Sequence, residues 1–333
     1  MRLLPSLLLA LLGFTPLLRA TALDPKQLPA EACWYIHVDV DAANAASVGK
    51  SVRDAWLARP EGRDAVAKAR EVMGIDPFRD VHGITVYGTS YAPDAGVVIV
   101  RGKVDRTKLL ALIKNAPDYR VESAGDREIY LWTDTGQSGG QKADRPAKTS
   151  AGAFFGEDIV VIGPGQKPVS AALDVLESKS PALAKDSPLA IRAAEGSVIQ
   201  AAAAGLADAK KLPLNSPVLR QCDYGTLAVG ELNGDVFLHG KIVTKSADVA
   251  SQIRALAEGA KAMAALQSNE NFDAGRLLAP LKVAADDKTV KFDWNFPAKE
   301  VMKWVEAEEA KRTAPTPVPT TVQPAAPQGE KGQ

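Results

Sequence analysis

The chain has 333 residues, with 40 Lys+Arg against 40 Asp+Glu, 46% hydrophobic, 24% charged and 6% aromatic. This is the composition of a globular chain, and its zero balance leaves no field to gather phosphate, which argues against nucleic-acid binding and polybasic membrane attachment. Two cysteines are too few for a disulfide-dense scaffold or a cysteine-ligated zinc site.

Residues 1–22 start with Arg2, run apolar from Leu3 to Leu18 apart from Ser6 and Thr15, and close on the small-x-small pattern Ala20-Thr21-Ala22. That reads as a secretory signal peptide. The apolar run is about 16 residues, short of the roughly 20 a bilayer needs, and Pro5 and Pro16 weaken it as a helix. No cysteine near the cleavage site could accept lipid, since the first is Cys33. The expectation is an exported protein, periplasmic or secreted, with no membrane span after signal cleavage. At the other end, residues 312–333 are rich in Pro and Thr and hold almost nothing to bury, which predicts a disordered tail.

Between these ends one order of elements occurs twice. Strand Trp34–Val40 and helical segments precede a hairpin formed by Ile84–Gly88 and Gly96–Val104, an amphipathic helix near Asp105–Ala116, strand Asp158–Ile162 and a helix over Val169–Glu177. In the second half, Gly196–Ala204 precedes a hairpin of Thr226–Gly230 and Val236–Ile242 about Asn233-Gly234, a helix over Ala247–Gln267, strand Thr289–Trp294 and helix Ala298–Ala310. Gly88 and Gly230 are 142 residues apart and Gly102 and Gly240 138, so the first hairpin loop is four residues longer. The polar stretch Thr135–Ser150 reads as a loop insertion in the first copy. Hairpins interleaved with helices predict an α+β fold of two tandem copies, residues 28–180 and 186–311, with mainly antiparallel sheet covered by helices on one side.

Several motifs imitate chemistry. Ser47-Val48-Gly49-Lys50-Ser51 ends like a phosphate-binding loop, but Asn44 stands where its first glycine is needed and the intervening alanines favour helix. Ser138-Gly139-Gly140-Gln141 resembles a transport-ATPase signature without its leucine. His37, Asp39 and Asp41 share one face of the first strand, which would suit a metal-dependent hydrolase. Simple alternation offers another reading, with Trp34, Ile36 and Val38 turned inward and the polar set outward. Cys33 and Cys222 each precede a strand, one per copy; a bridge between them would close a loop of about 190 residues, and two buried thiols fit equally well. Trp304, Val301 and Val305 share a stripe of the last helix, read as a core seam.

Leu28-Pro29-Ala30, then Trp34-Tyr35-Ile36-His37-Val38-Asp39, Ser47-Val48-Gly49-Lys50 and Gly74-Ile75-Asp76-Pro77-Phe78-Arg79-Asp80 before Ile84-Thr85 resemble a group of uncharacterised exported bacterial proteins with a domain of unknown function. The resemblance implies export and assigns no activity to any residue. Lacking a catalytic constellation or cofactor fingerprint, the sequence points to a non-enzymatic envelope protein that binds a partner protein or an apolar ligand. A metal-dependent hydrolase using His37, Asp39 and Asp41 and a periplasmic lipid carrier are the alternatives.

Overall fold

The computed structural model describes residues 22–92, 94–135, 147–208, 217–266 and 274–313. The leader ahead of Ala22, the Ser138–Gln141 motif and the tail beyond Thr313 lie outside the described residues.

The fold is α+β. The first copy runs β1 (Trp34–Asp39), α1 (Val40–Ala45), α2 (Ser47–Ala58), α3 (Pro60–Val72), β2 (Val81–Gly88), β3 (Val97–Gly102), α4 (Arg106–Lys114), β4 (Arg120–Ala124), β5 (Arg127–Asp134), β6 (Lys148–Phe155), β7 (Ile159–Gly163) and α5 (Gln166–Leu176). The second runs β8 (Ser197–Ala204), β9 (Cys222–Leu232), β10 (Asp235–Thr244), α6 (Ala247–Leu266), α7 (Ala274–Leu278), β11 (Lys282–Asp286), β12 (Thr289–Pro297) and α8 (Ala298–Thr313). All these strands join one antiparallel sheet in the order β11-β12-β10-β9-β8-β1-β2-β3-β7-β6-β5-β4. Outward from the central β8–β1 pair the order is β8-β9-β10-β12-β11 on one side and β1-β2-β3-β7-β6 on the other, so the copies share a single sheet.

Several sequence expectations need correction. The surplus in the first copy is no mere loop over Thr135–Ser150, because Lys148 already starts β6; it includes the hairpin β4–β5, which turns at Gly125-Asp126 with Gly125 at φ +66°. The first strand also stops at Asp39 instead of running to Val40. The Asp39 carboxylate accepts the Ala42 N–H at 2.8 Å and caps α1, and the alanines that follow carry the helix.

The inward and outward faces of β1 are the reverse of those the alternation suggested. Tyr35 is 1% exposed, His37 4% and Asp39 3%, whereas Ile36 is 46% exposed. Alternation shows that two faces differ without saying which is covered. On the Tyr35 face, helix α5 packs Val169, Ala172 and Leu173 over Val97, Ile99 and Val161, while Leu28, Leu183 and Leu189 seal Tyr35 and Tyr87. His37 is accommodated there because its Nδ1 lies 2.8 Å from the Thr85 hydroxyl.

Cover is not confined to one side either. In the second copy α6 packs Val249, Ala250 and Ile253 against Val290, with Ile242, Val283 and Phe292 around them, and these strand residues lie on the Ile36 face. The sequences of the equivalent strands explain the switch. β7 reads Ile159-Val160-Val161-Ile162, apolar on both sides. β12 alternates, and its Lys291, Asp293 and Asn295 are exposed on the side that α5 covers in the first copy.

Candidate functional site

On the Ile36 face, over β8, β9 and β10, lies an apolar cavity of about 740 Å³. Its floor is low because Ala201, Ala203, Gly225 and Gly240 carry little side chain. Trp34 and Ile36 stand on one side, and Leu277, Leu278 and Leu281 on the other. The aromatic walls are set by glycine. A Cβ at Gly88 would lie 2.5 Å from Nε1 of Trp34, so the indole rests on bare backbone, and Phe292 lies across Gly240 in the same way. Trp34 donates its Nε1–H to the Ser90 carbonyl at 2.9 Å and Trp294 to that of Leu277 at 2.7 Å. With both indole donors satisfied, the rings present only hydrocarbon to the cavity. The apolar surface continues over the first copy, where Val86, Val98, Val100, Val160 and Ile162 are all only half-buried.

A second apolar cavity, about 520 Å³, lies on the same strands. Ile199, Val229 and Val236 form its base, with Val48, Val52 and Trp56 of α2 and Phe78 above, the last two rings meeting edge-on at 5.7 Å. Asn44, Arg53 and Glu231 supply its polar atoms.

Glu231 explains the phosphate-loop imitation. Ser47–Ser51 forms the start of α2, whose preceding residue Ala46 offers no capping side chain. The Glu231 carboxylate reaches over from β9 and accepts hydrogen bonds from the Ser47 N–H at 2.9 Å, the Ser47 hydroxyl at 2.5 Å and the Val48 N–H at 2.9 Å. Where a phosphate would sit, the protein has placed its own anion. Burial pushes the Glu231 carboxyl up, but the Ser47 hydroxyl, the two N–H groups and the Lys50 charge outweigh it and hold the group below its ordinary value. Gly49 has a steric reason: a Cβ there would fall 1.9 Å from the Ala43 carbonyl oxygen of α1.

The residues suggested for metal chemistry point different ways. His37 and Asp39 lie inside the Tyr35 face, while Asp41, in the first turn of α1, meets Nδ1 of His82 at 3.0 Å. His239 meets Asp293 at 3.0 Å and stacks on Phe237 at 4.8 Å between centroids. Among the described residues no group of three or more His, Cys, Asp or Glu side chains could hold a metal ion. Cys33 and Cys222 are free thiols; the first donates to the Gly88 carbonyl at 3.3 Å and the second to that of Val218 at 3.4 Å, with β8 between their strands. Trp304 stacks on Phe296 at 5.1 Å, and Phe296 on Trp294 at 5.6 Å.

Sequence reasoning missed α7, whose leucines wall the larger cavity. It read Gly196–Ala204 as a strand without seeing that its alanines floor a cavity. Among the described residues no helix is long and apolar enough to cross a membrane.

No family model and no curated protein matches the sequence. Solved structures do: TP0453 in crystal forms III, I and IV gives TM-scores of 0.43, 0.43 and 0.44 at 9%, 10% and 9% identity. The matches cover 86%, 87% and 85% of this chain and 99%, 99% and 96% of that one. A likeness this distant says nothing about role.

Proposed function

We propose that the protein is a non-enzymatic binder of an apolar ligand in the cell envelope, and that the ligand lies in the cavity between β8–β10 and α7. One observation carries the reading: the larger cavity is walled by hydrocarbon whose indole donors are satisfied elsewhere, and it opens beside Ile36, an apolar side chain left 46% exposed in the middle of the sheet. Contiguous apolar surface of this kind supports the binding reading. Burying about 250 Å² of ligand surface at about 25 cal/mol per Å² gives roughly 6 kcal/mol before ordering costs, a dissociation constant of about tens of micromolar or weaker. The envelope location is part of this proposal and is supported by the leader-like composition of residues 1–22.

The test is a titration of delipidated protein with the uncharged probe N-phenyl-1-naphthylamine. Saturable binding is expected, with a loss of about tenfold or more in Ala201→Trp, whose indole fills the floor. Absence of saturable binding, or an Ala201→Trp protein that folds and binds equally well, would overturn the proposal.

A further inference from the structure

Resting on the apolar-ligand reading, we infer that the ligand is a long-chain amphiphile with an anionic head, its chain laid along β8–β10 through both cavities and its head at Arg53. The cavities are consecutive stretches of one surface. β8 gives Ala203 and Ala201 to the first and Ile199 to the second, β9 gives Leu227 and then Val229, and β10 gives Leu238 and then Val236. The floor from Gly225 to Glu231 advances six residues, about 20 Å at 3.3 Å per residue, which accommodates an extended chain of about sixteen carbons.

The two ends differ in charge. Lys241 reaches the first cavity only beside its floor, since its ammonium lies over the Tyr224 ring, 4.9 Å from the centroid, on the other face of the sheet. In the second cavity the charged groups are Glu231 and Arg53. Glu231 is committed to the first turn of α2, so its charge is already met by three donors. Arg53 is held from the solvent side. Its Nη1 donates to Asn44 Oδ1 at 3.2 Å, and its Nε and Nη2 donate to Asp54 Oδ1 at 3.1 and 3.0 Å; the Asp54 side chain is 66% exposed and that of Arg53 26%. A solvent-exposed pair of that kind contributes little and exchanges readily for a carboxylate or phosphate that the guanidinium fork can grip in two places. A neutral head can make only single hydrogen bonds at this end, and a cationic head cannot use the guanidinium, the other charges there being already engaged by Ser47, Val48 and Arg53.

Competition against bound N-phenyl-1-naphthylamine by tetradecanoate, tetradecan-1-ol and tetradecyltrimethylammonium, each below its micelle concentration, tests the assignment. The expected order is carboxylate, alcohol, cation, with tetradecanoate favoured over the alcohol by about tenfold, the worth of one partly desolvated ion pair. In Arg53→Ala that ratio drops below about threefold, and Arg53→Lys retains part of it. 9,10-Dibromostearate should quench Trp56, so Trp56→Phe loses part of the quenching. A wild-type protein that binds the neutral probe but shows no preference for the carboxylate, an Arg53→Ala protein that keeps the preference, or quenching unchanged in Trp56→Phe would each overturn the inference while leaving the apolar-ligand reading intact. Failure of the neutral probe itself would remove both.

Discussion

Replacing Glu231 by Ala removes the anion that closes the start of α2. Three donors lose their acceptor: the Ser47 N–H, the Ser47 hydroxyl and the Val48 N–H. A hydrogen bond to a charged group contributes about 1.5–3 kcal/mol, but the freed groups are only part-buried and regain water. Loss of an N-cap costs about 0.5–2 kcal/mol and loss of a favourable charge at a helix start about 0.3–1 kcal/mol. Together these place the destabilisation near 2–3 kcal/mol, or a melting temperature lower by about 5 °C for a chain of this size. Glu231→Gln, which keeps one carbonyl acceptor and loses the charge, should fall about halfway. The pH dependence fixes the cause. The folded carboxyl lies below its unfolded value, so its contribution is complete above roughly pH 4.3 and is lost as pH falls through the folded value. Thermal melts of wild type and Glu231→Ala should therefore differ fully at pH 7, and the gap should narrow as pH falls below about 4.3 towards the lower, folded value. A gap as wide at pH 3.5 as at pH 7, or no gap at pH 7, would refute the argument that the carboxylate stabilises α2.

Gly88→Ala puts a Cβ 2.5 Å from the Trp34 ring, a side chain that can move, so stability should fall by only about 1 kcal/mol while Trp34 emission shifts to the red and the neutral probe binds less well. Gly230→Ala meets the fixed backbone carbonyl of Gly196 at 2.1 Å and should cost more, about 2–3 kcal/mol by urea unfolding. Burial pushes both thiols, Cys33 and Cys222, above their ordinary range, so native protein should react slowly with iodoacetamide at pH 7.5. In urea without reductant it should take up two equivalents, and uptake of none would mean the cysteines are bridged.

Much of the fold was legible because hairpins and amphipathic helices are local signals. Asn233-Gly234 between apolar runs marked β9–β10, and the repeated order of elements carried over to the two halves of the sheet. The hairpin β4–β5 carried the same kind of signal in Gly125-Asp126 between Val121 and Ile129, yet went unread because its strands mix charge with apolar residues. The orientation of β1 was beyond local reading. Trp34-Tyr35-Ile36-His37-Val38-Asp39 is apolar and aromatic on one face and half-polar on the other, and burial of the polar set depends on α5 and Leu183, both more than 120 residues away, together with the nearby Leu28. The clue to cover on both sides lay in comparing β7, apolar throughout, with β12, which alternates. For the cavities, the small floor residues Ala201, Ala203, Gly225 and Gly240 look like ordinary strand filler until the register aligns them. Glu231 gave no local hint at all, since it caps a helix 184 residues away.

The central β1–β8 pair has a bearing on how the chain acquires its structure. β1 is hydrogen-bonded on one side to β2, which follows within the same copy, and on the other to β8, which begins about 160 residues later. Emerging from its N-terminus, at the ribosome or through an export channel, the first copy therefore completes its hairpins with one flank of β1 still bare. At about 5–20 residues per second that flank waits roughly 10–30 s for its partner. Its unpaired backbone would join any strand that arrives, and with Ile36 uncovered beside it the nascent chain needs shielding until Ser197–Ala204 is made.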